Sequence, residues 1–416
     1  MIGAILGAAA LIIWLGMLFA HGGFWLARER DTAGLPGDPA SWPAVTAVVP
    51  ARDEAEVIAR SIGSLLAQDY PGVLRVVLVD DSSSDETAEI ARGLGDMRLS
   101  VITGKPLAAG WTGKLWAVSQ GIAVASSSPE RGGGPSEGWW RGSRPEESGN
   151  PSTGFAGPPP PSGEDEDGPH YLWLTDADIE HAPDTLRTLV RRAEGEGRAL
   201  VSLMARLRCD TLAERALVPA FVFFFQMLYP FARVNRPRGI GAAAGGCMLV
   251  RRDALERAGG IATIRDALVD DCAFGALIKR QGPVWLGLTD RSLSIRPYDT
   301  LESVGAMISR SAYAQLRYSP LALAGTLVGL ALVFVVPPAL ALFGSGAGRI
   351  MGALAWALMA LSFQPMLRFY RRSPLWGVAL PAIAAYYGWC TFLSGWQHHR
   401  GRGGMWKGRA QAAVGH

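Results

Sequence analysis

The chain has 416 residues, 49% hydrophobic and 19% charged, enough for two or three structural units with a sizeable core. A formal charge of +3 is too small to argue for a nucleic-acid partner, and the basic residues flank apolar runs instead. Cys209, Cys247, Cys272 and Cys390 are scattered with no CxxC spacing, which argues against a zinc site or disulfide framework and fits reduced thiols. His398-His399 has no carboxylate or cysteine beside it, so no metal is expected there.

Residues 2–27 carry no charge and are followed by Arg28 and Arg30. That run is long enough to cross a bilayer, and its uncharged start and Phe24-Trp25-Leu26 end are unlike a cleaved signal. We expect a retained anchor over 1–27, with the basic flank holding the next domain in the cytoplasm.

Residues 45–125 alternate strand and helix patterns. Val45-Thr46-Ala47-Val48-Val49 is a β-branched run ending at Pro50, and Ile58, Ile62, Leu65 and Leu66 recur at helical spacing. A second apolar run over 76–79 ends in Asp80-Asp81, and Ser83 with Glu86 has capping-box spacing for a helix through about Arg92. A third strand is expected over 99–102. This alternation predicts a parallel, doubly wound α/β sheet whose ligand binds at the carboxyl ends of the strands.

The pattern breaks at 126–169, where Pro, Gly and Ser fill 27 of 44 positions. Such a stretch buries too little apolar surface to offset its ordering entropy, so a disordered insertion is expected. The fold resumes at Tyr171-Leu172-Trp173-Leu174, a fourth strand that runs into Asp176 and Asp178. Further on, 216–231 is uncharged, Phe-rich, short for a span at 16 residues and interrupted by Pro219 and Pro230, which predicts a helix in the membrane interface over 213–231. Three more uncharged stretches, 319–348, 350–367 and 373–397, predict C-terminal spans within 319–397, followed by a basic tail over 398–416. Arg368, Arg371 and Arg372 favour the same side as Arg400, Arg402, Lys407 and Arg409, and one full span between the two clusters cannot satisfy both.

Four acidic sites follow strands or sit in loops: Asp53-Glu54, Asp80-Asp81, Asp176/Asp178 and Asp270-Asp271. In a doubly wound sheet the first three line one edge, where their mutual repulsion calls for a cation. A hard divalent ion, Mg²⁺ or Mn²⁺, suits oxygen ligands and would bridge the phosphates of a nucleoside diphosphate. Any one of these sites alone reads equally well as loop or helix capping.

The order of motifs resembles the inverting glycosyltransferase family 2, of GT-A fold. It is carried by Val48-Val49-Pro50-Ala51-Arg52-Asp53-Glu54, Val77-Leu78-Val79-Asp80-Asp81-Ser82-Ser83-Ser84-Asp85, Gly113-Lys114, Thr175-Asp176-Ala177-Asp178, Gly245-Gly246-Cys247-Met248-Leu249-Val250-Arg251-Arg252 and Leu268-Val269-Asp270-Asp271. With one N-terminal and about three C-terminal spans, the chain is most similar to hopene-associated glycosyltransferases and, distantly, to ceramide glucosyltransferases. The resemblance implies a catalytic domain over 43–310 that takes a nucleotide-sugar and a lipid acceptor. Pro50, Arg52, Glu54, Asp80 and Asp81 would hold the nucleotide. Lys114 would meet the diphosphate, and Gly245 and Gly246 would admit the sugar. Asp176 and Asp178 would carry the metal, and Asp271, preceded by Asp270, would be the catalytic base.

The Gln-x-x-Arg-Trp motif of processive synthases is matched only as Ala314-Gln315-Leu316-Arg317-Tyr318. Arg317 remains a candidate diphosphate contact, and transfer of a single sugar is expected rather than polymerisation. A polyprenyl phosphate acceptor and a catalytically silent scaffold are the alternatives.

Overall fold

The computed structural model describes residues 1–126 and 170–400, with the backbone of two short strands, Met405–Trp406 and Arg409–Ala410. Apart from Ser126, the expected insertion over 126–169 lies outside the described residues, as does most of the basic tail beyond residue 400.

Eight strands form one sheet: β1 Val45–Ala51, β2 Leu74–Asp80, β3 Leu99–Thr103, β4 Tyr171–Leu174, β5 Ile179–His181, β6 Leu200–Arg206, β7 Met248–Arg251 and β8 Val284–Ser294. Their order is β3-β2-β1-β4-β7-β6-β8-β5. The β3-β2-β1-β4 half is parallel, as the alternation of strand and helix predicts. The other half is mixed: β7 runs antiparallel to both β4 and β6, whereas β8 is parallel to β6. Reversing β7 has a purpose in the layout. Leu174 at the end of β4 pairs with Met248 at the start of β7, so the Gly245-Gly246 loop arrives beside Thr175-Asp176.

β1 and β2 are buried almost throughout, as expected for strands covered on both faces. Helix Ile58–Leu66 presents Ile58, Ile62 and Leu65 to one face of the sheet, and helix Gly113–Ser126 presents Leu115 and Val118 to the other. Gly121 is required there, because a Cβ would lie 2.4 Å from Val48 Cγ1. The helix after β2 starts at Thr87 and not with a Ser83 cap. Ser83 Oγ instead accepts from the Asp53 N–H, and Asp85 Oδ1 accepts from the Thr87 N–H. Tertiary contact with the first loop thus takes the Ser83 hydroxyl that the local pattern assigned to capping, and Asp85 serves the helix start instead.

Among the described residues, four helices are long and apolar enough to cross a membrane: Ile2–Ala20, Leu212–Val234, Pro320–Phe343 and Gly346–Phe369. The first and last of these pack through facing small residues. A Cβ on Gly7 would lie 3.1 Å from Met351 Cβ, and one on Gly348 would lie 2.9 Å from the Gly3 backbone. Such close approach is how membrane helices gain packing energy without a hydrophobic driving force. Fully buried Trp14 donates its indole N–H to Val333 O at 2.9 Å, inside the π-helical turn Ala331–Val335. The stretch 373–397 folds into helix Trp376–His399.

The stretch 213–231 contains helix Leu212–Leu228, which opens with a Thr211/Glu214 capping box. Protein covers most of its length. Phe223 meets Phe24 and Phe363, and Phe224 meets Phe334 and Tyr387. The segment that follows the first helix joins the sheet directly, since Asp31 N–H donates to Leu288 O and Asp31 Oδ2 accepts from Thr289 and Arg291.

Candidate active site

The carboxyl ends of β1, β2 and β4 converge on one edge, and the loops leaving them hold most of the acidic residues. Asp53 and Ser82 adopt left-handed backbone, φ +50° and +54°, which turns the two loops toward each other. They are laced together by several bonds. Arg52 donates to Asp81 O at 2.6 Å, Ser84 N–H to Asp53 Oδ1 at 2.7 Å, and Glu54 N–H to Thr87 Oγ1 at 2.8 Å. Asp80 Oδ1 accepts from the Ser83 N–H at 3.3 Å, which fixes the turn after β2. Buried Asp81 lies at the base of this shelf.

Beside it opens a cleft continuous with solvent. Pro50, Lys114, Thr175, Asp176, Gly245 and Asp270 line it, over an apolar floor that includes Leu174, Ile261 and Phe274. Lys114 is its hub, at 2.8 Å from Asp176 Oδ1 and 3.0 Å from Asp270 Oδ2. Burial disfavours the Lys114 charge, but the two carboxylates more than offset this and raise its pKa. The Asp176 pKa is also raised, by burial first, with Lys114 opposing and Asp178 reinforcing the shift.

Asp271 opens helix Asp270–Lys279. Its Oδ2 accepts from the Gly245 N–H at 3.1 Å and its Oδ1 from the Cys272 N–H at 2.7 Å, so both oxygens are oriented. The Gly245 backbone passes close to both groups: a Cβ there would lie 3.3 Å from Lys114 Nζ and in ordinary contact with Asp271. Burial, then the neighbouring Asp270 charge, push the Asp271 carboxyl up to about 6, against the pull of Lys114. A base must be deprotonated to act, so kcat/KM should fall as pH drops through about 6 and level off above it. A profile that stays flat to pH 5 would contradict a role for Asp271 as base, and Asp270→Asn should move the acid limb to lower pH.

Asp178 points elsewhere. Its Oδ2 accepts from Arg296 Nε at 2.8 Å, and the same guanidinium also grips Glu54. Arg296 therefore ties the first loop to the Asp176-Ala177-Asp178 turn, and no motif reading anticipated it. Its one sequence signal is a basic residue just past the end of a long strand. Thr175 adds a second tie, donating to Gly246 O at 2.8 Å and lying 2.9 Å from His181 Nε2. His181 is buried against Trp173 with its pKa lowered to about 3 by burial, so it is a neutral strut and not a proton carrier.

The structure thus brings Pro50, Lys114, Asp176, Gly245, Asp270 and Asp271 around one cleft, with Arg52, Glu54, Asp80 and Asp81 on the adjoining shelf. Gly246 lies behind, against Ala205 and Ile179. Arg317 is not brought in: it is exposed on a left-handed corner (φ +52°) and makes no ion pair among the described residues.

A mixed sheet with carboxylates gathered at the ends of its parallel half, closed by a reversed strand that delivers a Gly-Gly loop, is the GT-A architecture. The model described as "Glycosyltransferase like family 2" matches residues 43–285, and that described as "Glycosyl transferase family 21" matches 169–410. Each covers more than half of the chain, which belongs to these family-2-like glycosyltransferases and is a glycosyltransferase. Curated relatives include the 4,4'-diaponeurosporenoate glycosyltransferase of Staphylococcus aureus (strain USA300), 35% identical over 85 residues, or 20% of this chain and 21% of that protein. The match spans about a fifth of that relative's length. A solved mannosyltransferase from Pyrobaculum calidifontis, in complex with GDP-Man and Mn²⁺, shares the fold with a TM-score of 0.53. It is 18% identical, over 95% of this chain and 99% of that one.

Proposed function

We propose that the protein moves one sugar from a nucleoside-diphosphate sugar to the hydroxyl of a lipid at a membrane surface, inverting the transferred carbon. The observation that carries this reading is the single cleft in which Lys114 joins Asp176 to Asp270, with oriented Asp271 alongside. The acceptor oxygen attacks the anomeric carbon while its proton passes to Asp271. The bond from that carbon to the diphosphate breaks, and the electron pair leaves with the phosphate oxygen. Lys114 meets that growing negative charge, and the shelf of Arg52, Glu54, Asp80 and Asp81 holds base and ribose.

A divalent ion, Mg²⁺ or Mn²⁺, fits Asp176 and Asp178. Asp176 offers a hard carboxylate oxygen inside the cleft beside Lys114, while Asp178, two residues on, is held by Arg296 and would join only by turning from it. Among the described residues, no three acidic, His or Cys side chains group closely enough to hold a metal alone. This matches the magnesium-type site, in which one or two carboxylates are completed by substrate phosphates. When bound, the ion would neutralise charge on the departing diphosphate. Mn²⁺ accompanies GDP-Man in the Pyrobaculum enzyme, which supports the assignment. Calorimetry of UDP and GDP with Mg²⁺ or Mn²⁺ should show binding that becomes about tenfold weaker or worse after chelation. Equal affinity with and without metal would contradict the metal assignment.

The acceptor half of the proposal rests on the apolar helices packed beneath the cleft and on the curated relative's name. A hopanoid or related lipid is the acceptor class that the family resemblance favours. Arg28 and Arg30 after the first span support a cell-membrane protein with its catalytic domain on the cytoplasmic side. Protease accessibility of that domain in sealed inside-out vesicles tests the orientation, and protection there would reverse it.

A further inference from the structure

The last helix, Trp376–His399, has 24 residues, about 36 Å at 1.5 Å per residue, which exceeds the bilayer core of about 30 Å. Length alone would let it cross. Its contacts show a different course. The far end of the bundle is marked by Gly3, Gly7, Leu340 and Gly348, which pack together around the N-terminus and the turn at 344–345. The near end is marked by Phe369 and Tyr370, which Arg30 and Arg206 of the catalytic unit overlie at 4.8 and 5.6 Å respectively.

Trp376–His399 keeps to the near end throughout. At its start, Gln364 Nε2 donates to Pro374 O, and Trp356 Nε1 to Val378 O, both at 3.1 Å. At its middle, Tyr386 donates to Leu301 O at 2.6 Å and Tyr387 to Leu217 O at 2.9 Å. Leu301 and Leu217 lie in the opening turns of helices that issue from the catalytic unit, beside the Glu214 carboxylate that accepts from Tyr298 N–H. At its end, Ser394 Oγ accepts from Tyr313 N–H at 3.1 Å, and His398 stacks on Tyr318 at 4.5 Å. None of its hydrogen bonds or ring contacts among the described residues reaches 1–11 or 336–350.

We infer that Trp376–His399 does not cross the membrane but lies along the lipid surface on the catalytic-domain side, so that both its ends stay on that side. The course resolves the conflict of charges, because Arg368, Arg371, Arg372 and Arg400 then share one face of the bilayer while the turn at 344–345 has only Arg349 near it. It also accounts for the helix surface. Residues at spacings of three and four leave one lengthwise stripe uncovered, and its second half is Trp389, Phe392 and Trp396, 55%, 39% and 49% exposed. Trp389 stacks with Phe392, Phe392 with Trp396, and Arg400 lies 4.5 Å over the Trp396 ring. Tryptophan beside arginine is the composition of the headgroup boundary, where an apolar ring and a wet cation are both accommodated. Two helices, Pro320–Phe343 and Gly346–Phe369, then make the C-terminal crossings.

The inference rests on the membrane reading but not on the sugar-transfer chemistry. All four native cysteines are buried, so single introduced cysteines can be labelled on the full chain in sealed vesicles. With an impermeant maleimide, Ser373→Cys and Arg400→Cys should react from the same side as Met97→Cys in the catalytic unit, and Ser345→Cys from the opposite side. Reaction of Arg400→Cys with the Ser345→Cys side would overturn the proposal. Nitroxides at Ala382→Cys and Phe392→Cys should report depths within about 5 Å of each other, whereas a crossing helix separates ten residues by about 15 Å. A difference of the latter size would equally overturn it. If Ser345→Cys and Met97→Cys react from one side, the membrane reading fails and takes this one with it, while transfer activity is untouched.

Discussion

Asp271→Asn should lower turnover by about 10²–10⁴-fold while nucleoside diphosphate affinity changes by less than about threefold. The reasoning is geometric. Both Asp271 oxygens are acceptors, one from Gly245 N–H and one from Cys272 N–H. An amide offers one acceptor, so it keeps a single anchor, turns an N–H toward a backbone donor, and has no basic oxygen for the acceptor proton. The donor side of the cleft, Lys114 with Asp176, does not depend on that carboxylate. Steady-state kinetics with a direct nucleotide-binding measurement separate the two effects. A near-silent Asp271→Asn would point to an acceptor already ionised, such as a lipid phosphate, which needs no base.

Lys114→Gln should be the second large loss, about 10²–10³-fold in kcat, because one preorganised charge facing the leaving diphosphate is removed. Asp176 and Asp270 would also lose their shared counter-ion. The three side chains remain 20%, 33% and 22% exposed, so water screens the bared carboxylates and the fold should survive with a modest fall in Tm. Arginine at 114 should rescue poorly, since its planar fork does not fit a point-charge position between two carboxylates on different elements. Wild-type kcat in Lys114→Gln would remove Lys114 from the transfer step.

How far the sequence foretold this arrangement varies along the chain. The strands over 45–49, 76–79 and 171–174 were legible because buried strands read as short apolar runs between turn residues, and the half-exposed edge strand over 99–102 followed from the alternation. The edge that gathers Asp53-Glu54, Asp80-Asp81 and Asp176 follows from that alternation and the family motifs. The reversal of β7 was not legible, because strand direction is set by which neighbours a segment meets and not by its own residues. Arg296 was missed for a similar reason: its partners, Glu54 and Asp178, lie 242 and 118 positions away, and no local spacing records such a link. The 83–86 pattern misled in the other direction, since a valid capping signal was used for a loop-to-loop bond. Among the apolar stretches, composition marks helices long enough to cross a membrane but does not separate a crossing helix from one lying across the end of the bundle.

The measurement that bears most directly on the account is sugar transfer by the purified full chain in lipid bilayers. Each of a panel of labelled nucleoside-diphosphate sugars would be supplied with Mg²⁺ or Mn²⁺, and the extracted lipids analysed by mass spectrometry and by anomeric configuration. The account predicts a lipid carrying one added sugar with inverted configuration, absent with Asp271→Asn. Retained configuration, a growing polymer, or a protein that neither binds nor cleaves any donor would contradict it.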